Sequence, residues 1–141
     1  MKKFLAIAAV PALLVGLAGC SFAKPFGGYC DSLKIDVENT RTTLQVIDGS
    51  FTDGLVGKQQ AIWGAGYENI NAWVDEMVTY NGNLQAVIDL GKANAKEEAV
   101  LTELLDDLDQ GKFIDRLDYD DEAWYLKTNQ DLDAVAEICG F

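Results

Sequence analysis

The stretch CDSLKIDVENTRTTLQVI, residues 30–47, decides the fold. Its residues Cys30, Leu33, Val37, Thr40, Leu44 and Ile47 advance in alternating steps of three and four. A helix completes a turn every 3.6 residues, so these side chains fall on one face, the seam of a packed helix. Gly49 and the run Asp53-Gly54-Leu55-Val56-Gly57 then break the pattern.

The same spacing recurs downstream. Trp63, Gly66, Ile70, Trp73, Met77 and Tyr80 form a second seam, which assigns Trp63 and Trp73 to the core. Gly64 and Gly66 each cost about 1 kcal/mol against alanine inside a helix, so the sequence predicts an irregular first turn or a close backbone approach there. Asn81-Gly82-Asn83 reads as a helix-to-helix connection, because its flanks do not alternate as the strands of a hairpin would. Leu84, Val87, Ile88 and Leu90 predict a short third helix that fails near Gly91. Asn94 with Glu97 resembles a capping box and opens a run over Leu101, Leu104, Leu105 and Leu108, with Gly111 as a C′ glycine. The pattern leaves open whether residues 83–110 form one kinked helix or two short ones. Asp118 or Asp120 can cap a final helix whose first turn carries Asp121 and Glu122, favourable at the positive dipole end. Its seam is Tyr125, Thr128, Leu132, Val135 and Cys139. The expected architecture is all-α: an up-down four-helix bundle, with one helix open to a break.

The N-terminus obeys a different logic. Lys2 and Lys3 precede an apolar run from Phe4 to Leu17, which closes on Leu17-Ala18-Gly19-Cys20. A basic n-region, an apolar h-region and small residues before a cysteine resemble the lipobox of bacterial lipoprotein precursors. The h-region is shorter than the roughly 20 apolar residues that span a bilayer. The resemblance implies cleavage after Gly19 and a diacylglycerol thioether on Cys20. Two acyl chains, at about 0.8 kcal/mol per buried methylene, suffice for stable anchoring. The expected organisation is a signal peptide over 1–19, a lipidated tether over 20–28 and a helical domain over 29–141. The expected location is the extracytoplasmic face of the cell membrane, with the membrane itself as a partner through the lipid on Cys20.

Charge narrows the classes of ligand. The chain carries 11 Lys+Arg against 23 Asp+Glu, a formal charge of −12, and loss of Lys2 and Lys3 with the signal leaves −14. Such a surface repels phosphate backbones, so no nucleic-acid partner is expected. Two cysteines remain besides Cys20. An extracytoplasmic setting permits Cys30 and Cys139 to pair, and only one intramolecular connectivity exists for them. The other outcome is two buried free thiols. In a bundle with an even number of helices, the start of the first and the end of the last meet at one pole, which favours the bond.

Chemistry-bearing motifs are sparse. Histidine is absent, which removes Ser-His-Asp and Cys-His catalysis, the usual catalytic zinc sites and His-ligated haem. No phosphate-binding or dinucleotide fingerprint occurs. Asp107-Leu108-Asp109-Gln110-Gly111 begins like a calcium loop, but glycine falls at position 5 instead of 6 and Asp118 stands where position 12 needs glutamate. Neither a metal nor a cofactor is therefore expected. Trp124 and Tyr125 are adjacent, so one of them must point away from the bundle centre, and this pair is the candidate partner contact.

Tyr29-Cys30 after the tether and the closing Cys139-Gly140-Phe141 resemble small two-cysteine lipoproteins of actinobacteria and of their phages. That resemblance implies a helical fold and an envelope location. It does not imply an activity; the sparse chemistry sets the expected role as a non-enzymatic binding or interaction module, with superinfection exclusion, a property of some phage lipoproteins, as one form of it. The alternative expectation is a glycan-directed cell-wall enzyme, or its accessory, using carboxylates and exposed aromatic rings.

Overall fold

The computed structural model describes residues 24–114 and 120–141, apart from the side chains of Tyr80 and Asn81. The described residues form five α-helices and no strand: α1 (Cys30–Leu44), α2 (Gly54–Gly64), α3 (Ile70–Asp89), α4 (Ala95–Gln110) and α5 (Asp121–Cys139). Four of them close a ring in which α1 packs against α3 and α5, and α4 packs against the same two. Successive ring members run antiparallel, giving the up-down four-helix bundle. The short α2 lies in the α1–α3 connection, outside the ring.

The seam of α1 is buried as its spacing requires, with Leu33, Val37, Thr40 and Leu44 inside, and Ile47 continues it in the 3-10 turn Gln45–Ile47. Thr40 sits in apolar surroundings by turning its hydroxyl back onto the Asp36 carbonyl, 2.7 Å away. Two of the chain's tryptophans meet at the centre. Trp73 of α3 and Trp124 of α5 approach edge to face, with ring centroids 6.4 Å apart at 76°. Each indole finds a carbonyl at a helix C-terminus: Trp73 donates to Thr43 at 2.7 Å and Trp124 to Asp107 at 2.6 Å. These bonds supply side-chain donors to carbonyls in the last turns of α1 and α4.

Three connections differ from the sequence reading. Asn81-Gly82-Asn83 is no turn, because α3 runs unbroken through it to Asp89. Met77, Leu84 and Val87 carry one buried stripe across the segment, and that stripe outweighs the local preference of Asn-Gly. Asn83 also hydrogen-bonds the buried Asp36 of α1, opposing the rise in the Asp36 pKa that burial causes. The break comes at Leu90–Ala93, where Gly91 predicted it, before the Asn94–Glu97 capping box, which is formed in full. Residues 83–110 therefore belong to two helices.

Trp63 belongs to α2 and is 55% exposed, its indole donating to the Glu68 carbonyl at 2.9 Å. Asn69, not Trp63, starts α3, accepting from the Ala72 amide. Gly66, in the left-handed region at φ +96, separates the two helices, so the apparent seam from Trp63 to Ile70 joins two different elements. Tyr80, at the far end of that seam, has its side chain outside the description. Gly111 takes a right-handed conformation and continues as a 3-10 turn to Phe113. It is small because of packing: a Cβ there would meet Trp124 Cζ2 at 3.0 Å and Met77 Cε at 3.3 Å. Asp120 is the cap of α5, accepting from Ala123, whereas Asp118 lies outside the described residues.

Folding starts earlier than Tyr29. Pro25–Gly28 forms a 3-10 turn that buries Phe26 completely in the core, with positive φ at Phe26 and Gly27. Gly27 leaves no room for a side chain, since a Cβ would lie 2.7 Å from that of Lys92. The turn and the α3–α4 connection thus pack together. At the same pole Cys30 and Cys139 are disulfide-bonded, with Cα atoms 5.5 Å apart.

Candidate functional site

The two poles of the bundle differ in chemistry. At the disulfide pole the exposed lysines Lys24, Lys34, Lys92 and Lys96 offset Asp31, Asp89, Glu98 and Glu137, beside exposed Leu90 and Phe141. The opposite pole carries the α1–α3 connection, α2 and the start of α5. There Asp48, Asp53, Glu68, Asp109, Asp120 and Glu122 are all exposed. Among the described residues these carboxylates outnumber the one exposed lysine of this pole, Lys112, which is paired with Asp109, whereas lysines balance acids at the disulfide pole.

Lys58 holds α2 against this acidic pole. Its side chain is buried, with the ammonium 2.6 Å from Asp121 Oδ2 and donating to the Ile114 carbonyl at 3.0 Å. Asp121 thus does more than complement the α5 dipole: it neutralises a cation that burial would otherwise make costly. The lysine directly follows a stretch whose glycines read as a helix breaker, so its role was invisible to local pattern.

Along the α4–α5 seam, Lys127 gathers three carboxylates. Its ammonium lies 2.9 Å from Glu103 and 3.1 Å from Asp131, and it also bonds the buried Asp107. Burial by itself would lower the Lys127 pKa, but the bonds to Asp107, Glu103 and Asp131 outweigh it and hold the ammonium above its usual range. Burial pushes the Asp131 carboxyl up to about 6, a hydrogen bond with Asp107 pushes the same way, and Lys127 opposes both. One lysine does not fully neutralise the carboxylates around it, so Asp131 retains a proton more readily than an isolated aspartate.

A raised folded-state pKa gives a definite sign. Asp131 contributes stability that is fully present below about pH 4 and lost as the pH rises through about 6. Asp131→Asn, which imitates the protonated carboxyl, should match the wild type near pH 4. It should melt a few degrees higher than the wild type at pH 7.5. Thermal denaturation of both chains across pH 4–8 checks this; parallel curves would refute it.

The second feature is a groove of about 240 Å³ at the acidic pole, lined by Asp48, Gly49, Phe51, Thr52, Glu122, Tyr125 and Leu126. The 3-10 turn Phe51–Asp53 brings Phe51 to α5, where its ring lies 5.2 Å from that of Tyr125, tilted by 53°. Leu126 is 54% exposed beside them. Burial raises the Tyr125 phenol, and the negative charge of Asp48 raises it further. Tyr125 is half-buried and Trp124 is buried. Of the adjacent pair, Trp124 fills the core and Tyr125 faces the groove. Sequence reasoning missed Phe51 and Asp48, because both lie in the irregular connection after α1. The apolar side chain of Phe51 between Ser50 and Thr52 was the only signal they offered.

Among the described residues, no group of three or more acidic or cysteine side chains is arranged to hold a metal ion, and no helix is long and apolar enough to cross a membrane. Asp115 and Asp118 of the acidic loop, like the whole of Leu17-Ala18-Gly19-Cys20, lie outside the described residues. No protein-family model, curated protein or solved structure matches the chain.

Proposed function

We propose that this protein is a lipid-anchored extracytoplasmic lipoprotein that works as a non-enzymatic interaction module at the cell envelope. The observation that carries the reading is the shared pole of the disulfide and the chain's entry into the fold. A bond between Cys30 and Cys139 suits an oxidising compartment, as export through a lipobox signal would provide. Four peptide steps separate Cys20 from Lys24, an extended reach of at most about 14 Å. With the acyl chains on Cys20 in the bilayer, the disulfide pole lies next to the membrane. That pole carries the chain's balanced charge and exposed lysines, which suits an anionic lipid surface. The acidic pole then faces outward, at a height set by the 19 residues of α5, about 28 Å.

Cys20→Ser removes the sulfur that would be acylated. The variant should accumulate as an uncleaved precursor and take up no clickable fatty acid in cells. Incorporation at the wild-type level would sink the anchor assignment.

A further inference from the structure

We propose that the Phe51–Tyr125 groove binds a basic side chain, arginine above all, on an apolar segment of a protein partner. The inference gives a ligand chemistry to the interaction module above, and does not depend on the lipid anchor.

The groove has two parts. Its floor is apolar and aromatic: Phe51, Tyr125 and the exposed Leu126. Its rim holds two exposed carboxylates, Asp48 from the α1–α2 connection and Glu122 from the first turn of α5, and no lining residue is a cation. A simple aliphatic ligand would leave both charges unanswered. A simple cation would leave the rings exposed to water. Arginine meets both demands, since its methylene stem lies along apolar surface while its planar guanidinium stacks on aromatic faces and bonds carboxylates in pairs. At about 240 Å³ the groove is smaller than typical small-molecule pockets, which hold about 300–1,000 Å³, and suits one inserted side chain. The surrounding pole carries an acidic excess, its exposed Lys112 being paired with Asp109, so a basic segment is also steered toward it. When the chain is tethered through Cys20, this face is the one presented outward.

The test uses the full chain in non-ionic detergent, labelled with 3-fluorotyrosine, the Tyr125 resonance being assigned through Tyr125→Phe. The probes are the blocked peptide Ac-Leu-Arg-Leu-NH2, its charge-reversed counterpart Ac-Leu-Glu-Leu-NH2 and the N-acetylglucosamine trisaccharide. The arginine peptide should shift the Tyr125 signal saturably, and the glutamate peptide should leave it unmoved. Asp48→Asn with Glu122→Gln should weaken binding about tenfold, the order expected from losing two partly solvated charges. The other tyrosine signals report that this variant stays folded. Equal responses to both peptides, or unchanged affinity in the double variant, would overturn the proposal. So would a saturable response to the trisaccharide alone, which would indicate a glycan occupant. Cys20→Ser chain should bind the arginine peptide like the wild type, so loss of the anchor and loss of the groove are read separately.

Discussion

Reduction of the Cys30–Cys139 bond should lower the melting temperature of the domain by something on the order of 10–20 °C. The bond joins residues 109 apart, and closing a loop of that length removes enough unfolded-chain entropy to stabilise the fold by about 4–5 kcal/mol. For a domain of this size each kcal/mol is worth a few degrees. The effect is a large share of the 5–15 kcal/mol that holds a typical domain together. Calorimetry with and without reductant measures it, and Cys30→Ala with Cys139→Ala should reproduce the reduced state. A shift below about 3 °C would show that helix packing holds the pole closed by itself.

The second large effect separates two tryptophans that look alike in the sequence. Trp73 is wholly buried, packs on Trp124 and satisfies the Thr43 carbonyl. Trp73→Ala should cost about 3–5 kcal/mol, from lost burial, the residual cavity and the lost indole hydrogen bond. Trp63 is more than half exposed and makes one bond to its own connection. Trp63→Ala should cost less than about 1 kcal/mol. Urea denaturation of the two variants gives the comparison. Similar losses in both would mean that α2 is a cooperative part of the core, not an attachment to it.

The bundle was legible wherever a seam lay within one helix. The steps of Leu33, Val37, Thr40 and Leu44, and of Thr128, Leu132 and Val135, specify their buried faces directly. The pairing of Cys30 with Cys139 followed from helix polarity. Errors arose where local preference and tertiary packing disagree. Asn81-Gly82 favours a turn, yet the buried stripe through Met77, Leu84 and Val87 keeps α3 intact. Gly111 does follow the last residue of α4, but in a right-handed conformation, and its small size makes room for Trp124. The groove was half legible. Adjacent aromatic residues on a helix cannot both point inward, which singled out Trp124 and Tyr125, whereas Phe51 reaches Tyr125 only through a fold that brings the α1–α2 connection against α5. Lys58 and Asp121 are likewise distant in sequence, and no spacing rule relates them.

The covalent link across the pole also decides how the molecule bears load. In the proposed tethered state, a pull between the N-terminus and a partner at the far pole would enter the fold at Phe26 and Cys30. From Cys30 the tension divides, part passing along α1 and part crossing the two sulfurs into α5, which carries Tyr125. Neither helix can be peeled from its end while the bond is intact, because the ends of α1 and α5 move as one. The bundle must shear lengthwise along its packed seams, so the oxidised protein is built as a strut and the reduced one as a hinge.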